Sequence, residues 1–323
     1  MTSPVRAAHD VGDLVRRALD GEQRAVGRLI SLVEDAAPEL REVMAALAPQ
    51  TGRARVIGVT GSPGVGKSTT TAALVTAYRA RELRVGVLAV DPSSPFSGGA
   101  LLGDRVRMQD HATDAGVFIR SMASRGHLGG LSWATPQAVR VLDAAGCDVV
   151  LVETVGVGQA EVEVASLADT TLVLLAPGMG DAIQAAKAGI LEVADVFVVN
   201  KADRDGADSA VRDLRNMISQ GDGPHTGWKP PIVKTIASRG EGIAELVGEV
   251  DRHHEWLTTT GELQRRRTAR AEAEIEAIAV EGLRERMGDL HGAAGLPGLA
   301  NRVVSGEIDP YAAADQLVAD LTG

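Results

Sequence analysis

The sequence predicts an α/β fold, a doubly wound and mostly parallel sheet with helical extensions at both ends. Three observations predict it. Short apolar runs recur from residue 55 to residue 237, and most are apolar on both alternations, as strands covered on both faces require. Helix-favouring stretches separate them, the alternation that builds parallel sheets through crossovers. Aromatic residues make up only 2% of the chain, so the core is assembled from Ala, Val, Leu and Ile.

Residues 1–50 form a helical segment, in which Val26, Leu29, Ile30 and Val33 recur at helical spacing. The first β-type run, Arg55-Val-Ile-Gly-Val-Thr60, leads directly into Gly61-Ser-Pro-Gly-Val-Gly-Lys-Ser-Thr69. A helix-favouring stretch, Thr69 to Ala80, follows. The pattern G-x-x-x-x-G-K-[ST] is met by Gly61, Gly66, Lys67 and Ser68. A strand that delivers such a loop to a helix N-terminus turns unpaired N–H groups toward a phosphate. Gly61, Gly64 and Gly66 allow the backbone to come close without a Cβ, and Ser62, Pro63, Val65 and Thr69 complete the cradle. Lys67 is expected at the β- and γ-phosphates of a nucleoside triphosphate, and the Ser68 hydroxyl on Mg²⁺.

The second run, LRVGVLAV from residue 83, ends in Asp91-Pro-Ser-Ser-Pro-Phe96. Asp91 is placed to approach Mg²⁺ through its waters. Asp104, in Gly103-Asp-Arg-Val-Arg107, is a further candidate for the metal, with a solvated acid as the alternative. The third run, GVFIR from 116, precedes Ser121 to Gly130, a stretch too rich in glycine for a core element and expected to be mobile. His127 in it is expected to be exposed. The fourth run, CDVVLVE from 147, starts on Cys147, a small residue expected to be buried, and ends in Glu153-Thr-Val-Gly156. GTPases place D-x-x-G here. The acid would hold Mg²⁺ through water and the glycine N–H would meet the γ-phosphate. Val157 stands where many such enzymes carry a water-orienting Gln, and Gln159 is out of register. Lys67 and Glu153 are thus catalytic candidates, joined by Lys187 further along the chain, and the expected hydrolysis is slow until a partner acts.

The fifth run, TTLVLLA from 170, is followed by Pro177-Gly-Met-Gly-Asp181 and a stretch containing Lys187. Lys187 could reach the γ-phosphate when a partner docks, or stand as a solvated helix lysine. The sixth, DVFVVN from 195, ends in Asn200-Lys-Ala-Asp203, an N-K-x-D match. The Asp203 carboxylate can accept hydrogen bonds from guanine N1–H and the 2-amino group. Adenine offers neither donor and would leave the carboxylate unpaired. Asn200 and Lys201 brace the loop and cover the ring. The seventh run, PIVKTIA from 231, closes on Ser238, Arg239 and Gly240, with backbone N–H groups of this turn available to guanine O6.

Residues 51–255 therefore form a P-loop G domain, and 256–323 a charged helical arm. The arm carries Arg265, Arg266, Arg267 and Arg270, then a sparse stripe of Ile275, Ala279, Leu283, Met287 and Leu290. It either packs on its own domain or pairs with a second copy, which makes a homodimer the expectation. A last helix starts near Pro310. His253 and His254 are adjacent, make a poor metal pair, and are expected at the surface.

The 323 residues are 45% hydrophobic and 24% charged, values of a soluble globular protein. A net charge of −10 argues against general nucleic-acid or anionic-membrane partners. No uninterrupted apolar run approaches the ~18 residues of a membrane span. The first residues lack the apolar region of a signal peptide. A single cysteine excludes an intramolecular disulfide and suits a reducing cytoplasm.

GSPGVGKST, DPSSPFSGGALLGDRVRM, SMASRGHLGGLS, ETVGVGQAE, PGMGDAIQAAKAGI and NKAD together closely resemble the MeaB/ArgK-type GTPases. These are the G-protein chaperones of adenosylcobalamin-dependent methylmalonyl-CoA mutase. The resemblance runs from the helical N-terminus to DPYAAADQL at Leu317. It implies a homodimeric GTPase that binds the mutase, gates delivery of intact cofactor from an adenosyltransferase and helps exclude damaged cofactor. The segment reaching Lys187 resembles the family's additional switch. No D-x-H-x-x-G run occurs, so cobalamin is not expected to bind this chain directly. Two alternatives stand beside this reading. One is a phosphotransferase linked to amino-acid transport, from an older label of the family. The other is a GTP-dependent metallochaperone, which a single cysteine and scattered histidines disfavour.

Overall fold

The computed structural model describes residues 11–92, 111, 113–124, 134–154, 160–178, 193–220, 227–287 and 295–322. Helices α1 (Val11–Leu19), α2 (Gln23–Glu34) and α3 (Leu40–Leu47) come first. The sheet region contains β1 (Arg55–Gly61), α4 (Lys67–Arg79), β2 (Val85–Pro92), β3 (Val117–Ser124), α5 (Ala134–Ala144), β4 (Val149–Thr154) and α6 (Ala160–Leu167). It continues with β5 (Thr170–Leu175), β6 (Val196–Asn200), α7 (Ala207–Gln220), β7 (Ile232–Thr235) and α8 (Ile243–Thr259). Three helices end the chain, α9 (Glu262–Met287), α10 (Leu296–Val304) and α11 (Pro310–Thr322).

The strands form one 7-stranded sheet in the order β3-β2-β4-β1-β5-β6-β7, and every pairing between these strands is parallel. All seven apolar runs of the sequence are strands. After β1 the chain crosses to β2 and β3, and after β4 it crosses back to β5. The reversal leaves a crevice outside the carboxyl end of β1, where open α/β sheets hold their ligands.

Period-2 alternation sends each strand's neighbours to opposite faces. Val150 and Val152 join Leu29, Ile30, Val33 and Leu142 on one face. Val149 and Leu151 join Leu74, Val75, Tyr78, Leu246 and Val250 on the other. Beyond β5, Val173, Leu175 and Phe197 pack under Leu214. Both faces are therefore dry, and each fully buried aliphatic side chain contributes about 1.5–3 kcal/mol of transfer free energy. Cys147 is buried in the first of these clusters. Burial pushes its thiol up to about 12 from an ordinary 9.0, which matches the small structural residue expected.

The amino edge of the sheet is held by aspartates placed one residue before a strand. Asp169 accepts the Val56 amide at 3.0 Å, Asp195 the Thr171 amide at 2.8 Å, and Asp148, two residues before Val150, the Arg84 amide at 2.7 Å. Two sequence expectations fail in this part of the molecule. His253 is fully buried, with Nδ1 2.9 Å from Thr170 Oγ1 and Nε2 3.3 Å from Asp195 Oδ1. Its ring lies between Trp228 and Trp256, at centroid distances of 4.8 and 5.7 Å. It occupies the buried stripe of α8 with Leu246, Val250 and Leu257, a periodicity that adjacency to His254 obscured. Strand β3 also runs through Ser124, so Ser121 to Ser124 are sheet and Met122 is core. The glycine-rich remainder, with His127, lies outside the described residues.

Contacts divide the chain into Met1–Leu263 and Gln264–Gly323. In the second unit Asp309 caps α11 by accepting the Tyr311 and Ala312 amides at 2.8 and 3.1 Å, with Pro310 in the first turn. Among the described residues no helix is long and apolar enough to cross a membrane.

Candidate functional site

Strand β1 delivers residues 62–66 to the N-terminus of α4. Gly61 has φ 136°, and a Cβ there would strike the Leu174 carbonyl of the neighbouring strand. Gly66, at φ 98°, faces the Asn200 amide where a Cβ would sit. Only glycine fits either position. The loop is thus pressed against β5 and β6 and shaped before any ligand arrives.

Polar side chains hold that shape. The Lys67 ammonium is buried and donates to the Gly61 carbonyl at 2.6 Å and the Ser62 carbonyl at 3.2 Å. Asn200 Nδ2 donates to the Val65 carbonyl at 2.8 Å. Its Oδ1 accepts from Thr235 Oγ1 and the Ala237 amide, both at 3.1 Å. Lys201, at φ 58°, donates from Nζ to the Gly64 carbonyl at 2.6 Å. A residue other than glycine in the left-handed region marks strain kept for a purpose. Asn200 and Lys201 therefore brace the loop between them. The first turn of α4 ends the loop with N–H groups that have no acceptor inside the helix. The arrangement is a concave set of donors with a cation, suited to a polyphosphate.

Ser68 and Glu153 meet beside this cradle. The Ser68 hydroxyl donates to Glu153 Oε1 at 2.6 Å, and both residues are buried. Glu153 lies opposite Val59 of β1 and Ala89 of β2. Asp91 follows Val90, which pairs with Thr154, so its backbone reaches the same edge. A hydroxyl and a carboxylate held together at a phosphate cradle are hard oxygen donors, the kind Mg²⁺ takes alongside substrate oxygens and water. The residues fit that ion. Among the described residues no group of three or more His, Cys, Asp or Glu could hold a metal.

Asp203 lies three residues beyond Asn200, half exposed, with Oδ2 3.6 Å from the Arg239 guanidinium. The amides of the following turn are mostly engaged within the fold. The Ala237 amide is given to Asn200, the Arg239 amide to Ile236 at 2.8 Å and the Gly240 amide to Ala237 at 3.2 Å. The Ser238 amide is used by none of these bonds. Asp104, Gly156, Val157, Gln159 and Lys187 lie outside the described residues. Sequence reading missed the double use of Asn200 as donor and acceptor. The spacing from Asn200 to a Thr-Ile-Ala strand end was its available signal.

Three comparisons bear on this site. A profile of the family described as methylmalonyl Co-A mutase-associated GTPase MeaB matches residues 26–290. The chain is 45% identical over 315 residues to a Pyrococcus abyssi protein, covering 97% of each. It is 38% identical over 268 residues to the GTPase ArgK of Escherichia coli, covering 79% of each. A crystal structure named LAO/AO transport system kinase superposes with a TM-score of 0.73 at 28% identity, over 99% of this chain and 100% of that one.

Proposed function

The chain belongs to the MeaB family of methylmalonyl-CoA mutase-associated GTPases, and from that membership we propose that it is a GTP-driven chaperone of an adenosylcobalamin-dependent mutase. Residues 61–69 cradle the phosphates, Asp203 reads guanine with help from the Ser238 turn, and Asn200 and Lys201 keep the two halves of the site in register. The Lys67 ammonium leaves the Gly61 and Ser62 carbonyls for the β- and γ-phosphate oxygens. Ser68, Glu153 and Asp91 would hold Mg²⁺, which when bound neutralises charge on those oxygens. The Ser68–Glu153 contact carries this reading, because it places a hydroxyl and an acid together at the end of the phosphate loop.

The homologues' association supports the mutase as partner, and adenosylcobalamin stays with the mutase. Residues 256–323 serve as the dimerising arm. Helix α9 of this arm exposes Ile275, Ile278 and Leu283 at 66, 49 and 57%, more apolar surface than a solvated helix needs. Val157 in place of a water-orienting Gln supports slow hydrolysis that waits for the partner to complete the site. The test is GTP turnover, read as phosphate release, with and without the cognate mutase. A several-fold rise that Lys67→Ala abolishes is expected. No change on adding the mutase refutes the chaperone reading and leaves a GTPase. A phosphorylated transport component instead of free phosphate would favour the kinase reading that the solved relative's name suggests.

A further inference from the structure

We infer that Arg239 is a positioning residue that sets the guanine-reading carboxylate, acting through Asp203 and not through the base. The inference rests on the guanine role proposed for Asp203. Arg239 belongs to a turn with little freedom. Ile236 and Glu241 pair as an antiparallel bridge, with the Ile236 amide 3.0 Å from the Glu241 carbonyl. Gly242, at φ 77°, abuts the Lys234 carbonyl where a Cβ would sit. Ala237 in the same turn is tied to Asn200 at 3.1 Å. The turn is therefore anchored to the strand end that carries Asp203.

From this platform the Arg239 guanidinium reaches two acids. One Nη is 3.6 Å from Asp203 Oδ2 and the other is 3.9 Å from Glu241 Oε1. Glu241 adds a second, exposed acid beside the same guanidinium. A carboxylate that reads guanine must point both oxygens along N1–H and the 2-amino group. A half-exposed aspartate on a loop has a freely turning χ2 and pays for that alignment in entropy. A planar cation on one oxygen reduces this freedom before the base arrives. Two lone pairs per oxygen allow Oδ2 to keep the arginine while it accepts from the base. The consequence is specific. Loss of Arg239 should weaken recognition of the 2-amino group more than recognition of N1–H, because the second bond demands the finer alignment.

The experiment is competitive binding of GDP, IDP and ADP to the full chain, wild type against Arg239→Ala and Arg239→Lys. Inosine lacks the 2-amino group and reports N1–H recognition alone. Arg239→Ala should weaken GDP about two- to fivefold, the range of an exposed ion pair. IDP should weaken less, so the preference for GDP over IDP shrinks, and Arg239→Lys should restore most of it. In the Asp203→Asn background, probed with XDP, Arg239→Ala should have no further effect. An unchanged GDP-to-IDP ratio in Arg239→Ala, or an equal loss in the Asp203→Asn background, overturns the inference. Equal wild-type affinity for GDP and ADP would instead overturn the guanine reading itself. A circular dichroism melt matching wild type confirms that the variants fold.

Discussion

Asn200 is buried, and its one side chain joins three separate segments of the site. Asn200→Ala removes the bond to the Val65 carbonyl at 2.8 Å and the two to Oδ1 at 3.1 Å. A buried intramolecular hydrogen bond contributes about 1 kcal/mol net, and abandoned partners cost more where water cannot reach. Three bonds give about 3 kcal/mol, and water entering at the loop lowers this to about 2. With a urea slope of about 3 kcal/mol/M for a chain of this class, the midpoint should fall by about 0.7–1 M. Trp228 and Trp256, packed 5.7 Å apart beside the same sheet, provide the fluorescence signal. Asn200→Asp separates folding from function. Its carboxylate still accepts from Thr235 and Ala237 but turns an oxygen toward the Val65 carbonyl. Stability should fall less than in Asn200→Ala, while GDP affinity should fall at least about tenfold, a cost near 1.4 kcal/mol. A midpoint shift under about 0.2 M in Asn200→Ala, or wild-type GDP affinity in Asn200→Asp, would refute the assignment of Asn200 as the clamp.

His253→Ala should destabilise the protein by about 2–4 kcal/mol, since it empties a site between two tryptophans and strands Thr170 and Asp195. A loss below about 1 kcal/mol in urea unfolding, or an unshifted tryptophan spectrum, contradicts this. Cys147 makes stability depend on alkaline pH. Below pH 9 the thiol keeps its proton in both states, but between 9 and about 12 the unfolded chain releases it and the folded chain does not. Stability should therefore fall with rising pH across that window more steeply in wild type than in Cys147→Ala, and equal slopes would refute the burial argument.

The strands were legible because a parallel sheet leaves an unusually direct mark on sequence. Val149 to Val152 read as a continuous apolar run since one half packs under α4 and the other under α5. The phosphate loop was legible for a related reason: Gly61 and Gly66 occupy positions where any Cβ meets backbone or Asn200. What the sequence hid is pairwise. Nothing local marks Asn200 as the partner of both Val65 and Ala237, because those residues lie on three different strand ends. His253 was hidden by its neighbour. Two adjacent histidines read as a polar patch, whereas the stripe of Leu246, Val250 and Leu257 runs through only one of them. Ser121 to Ser124 were hidden by the glycines that follow, which pulled the expected loop back into the strand.

The position of Glu153 follows from the opposite edge of the sheet. Its side chain meets Ser68 only because β4 lies in a register that sets Glu153 against Val59. A slip of one residue would turn the carboxylate to the other face, where Val150 and Val152 meet the helices. The register is fixed where the strands begin. Asp169 ties β5 to the Val56 amide of β1, and Asp148 ties the start of β4 to β1 through its carbonyl, which accepts the Arg55 amide at 2.9 Å, and to the Arg84 amide before β2 through its carboxylate. Each bond is directional and joins two strands at one register alone. The aspartates at the amino edge and the Ser68–Glu153 contact at the carboxyl edge are thus two ends of one constraint, transmitted along strands of six or seven residues.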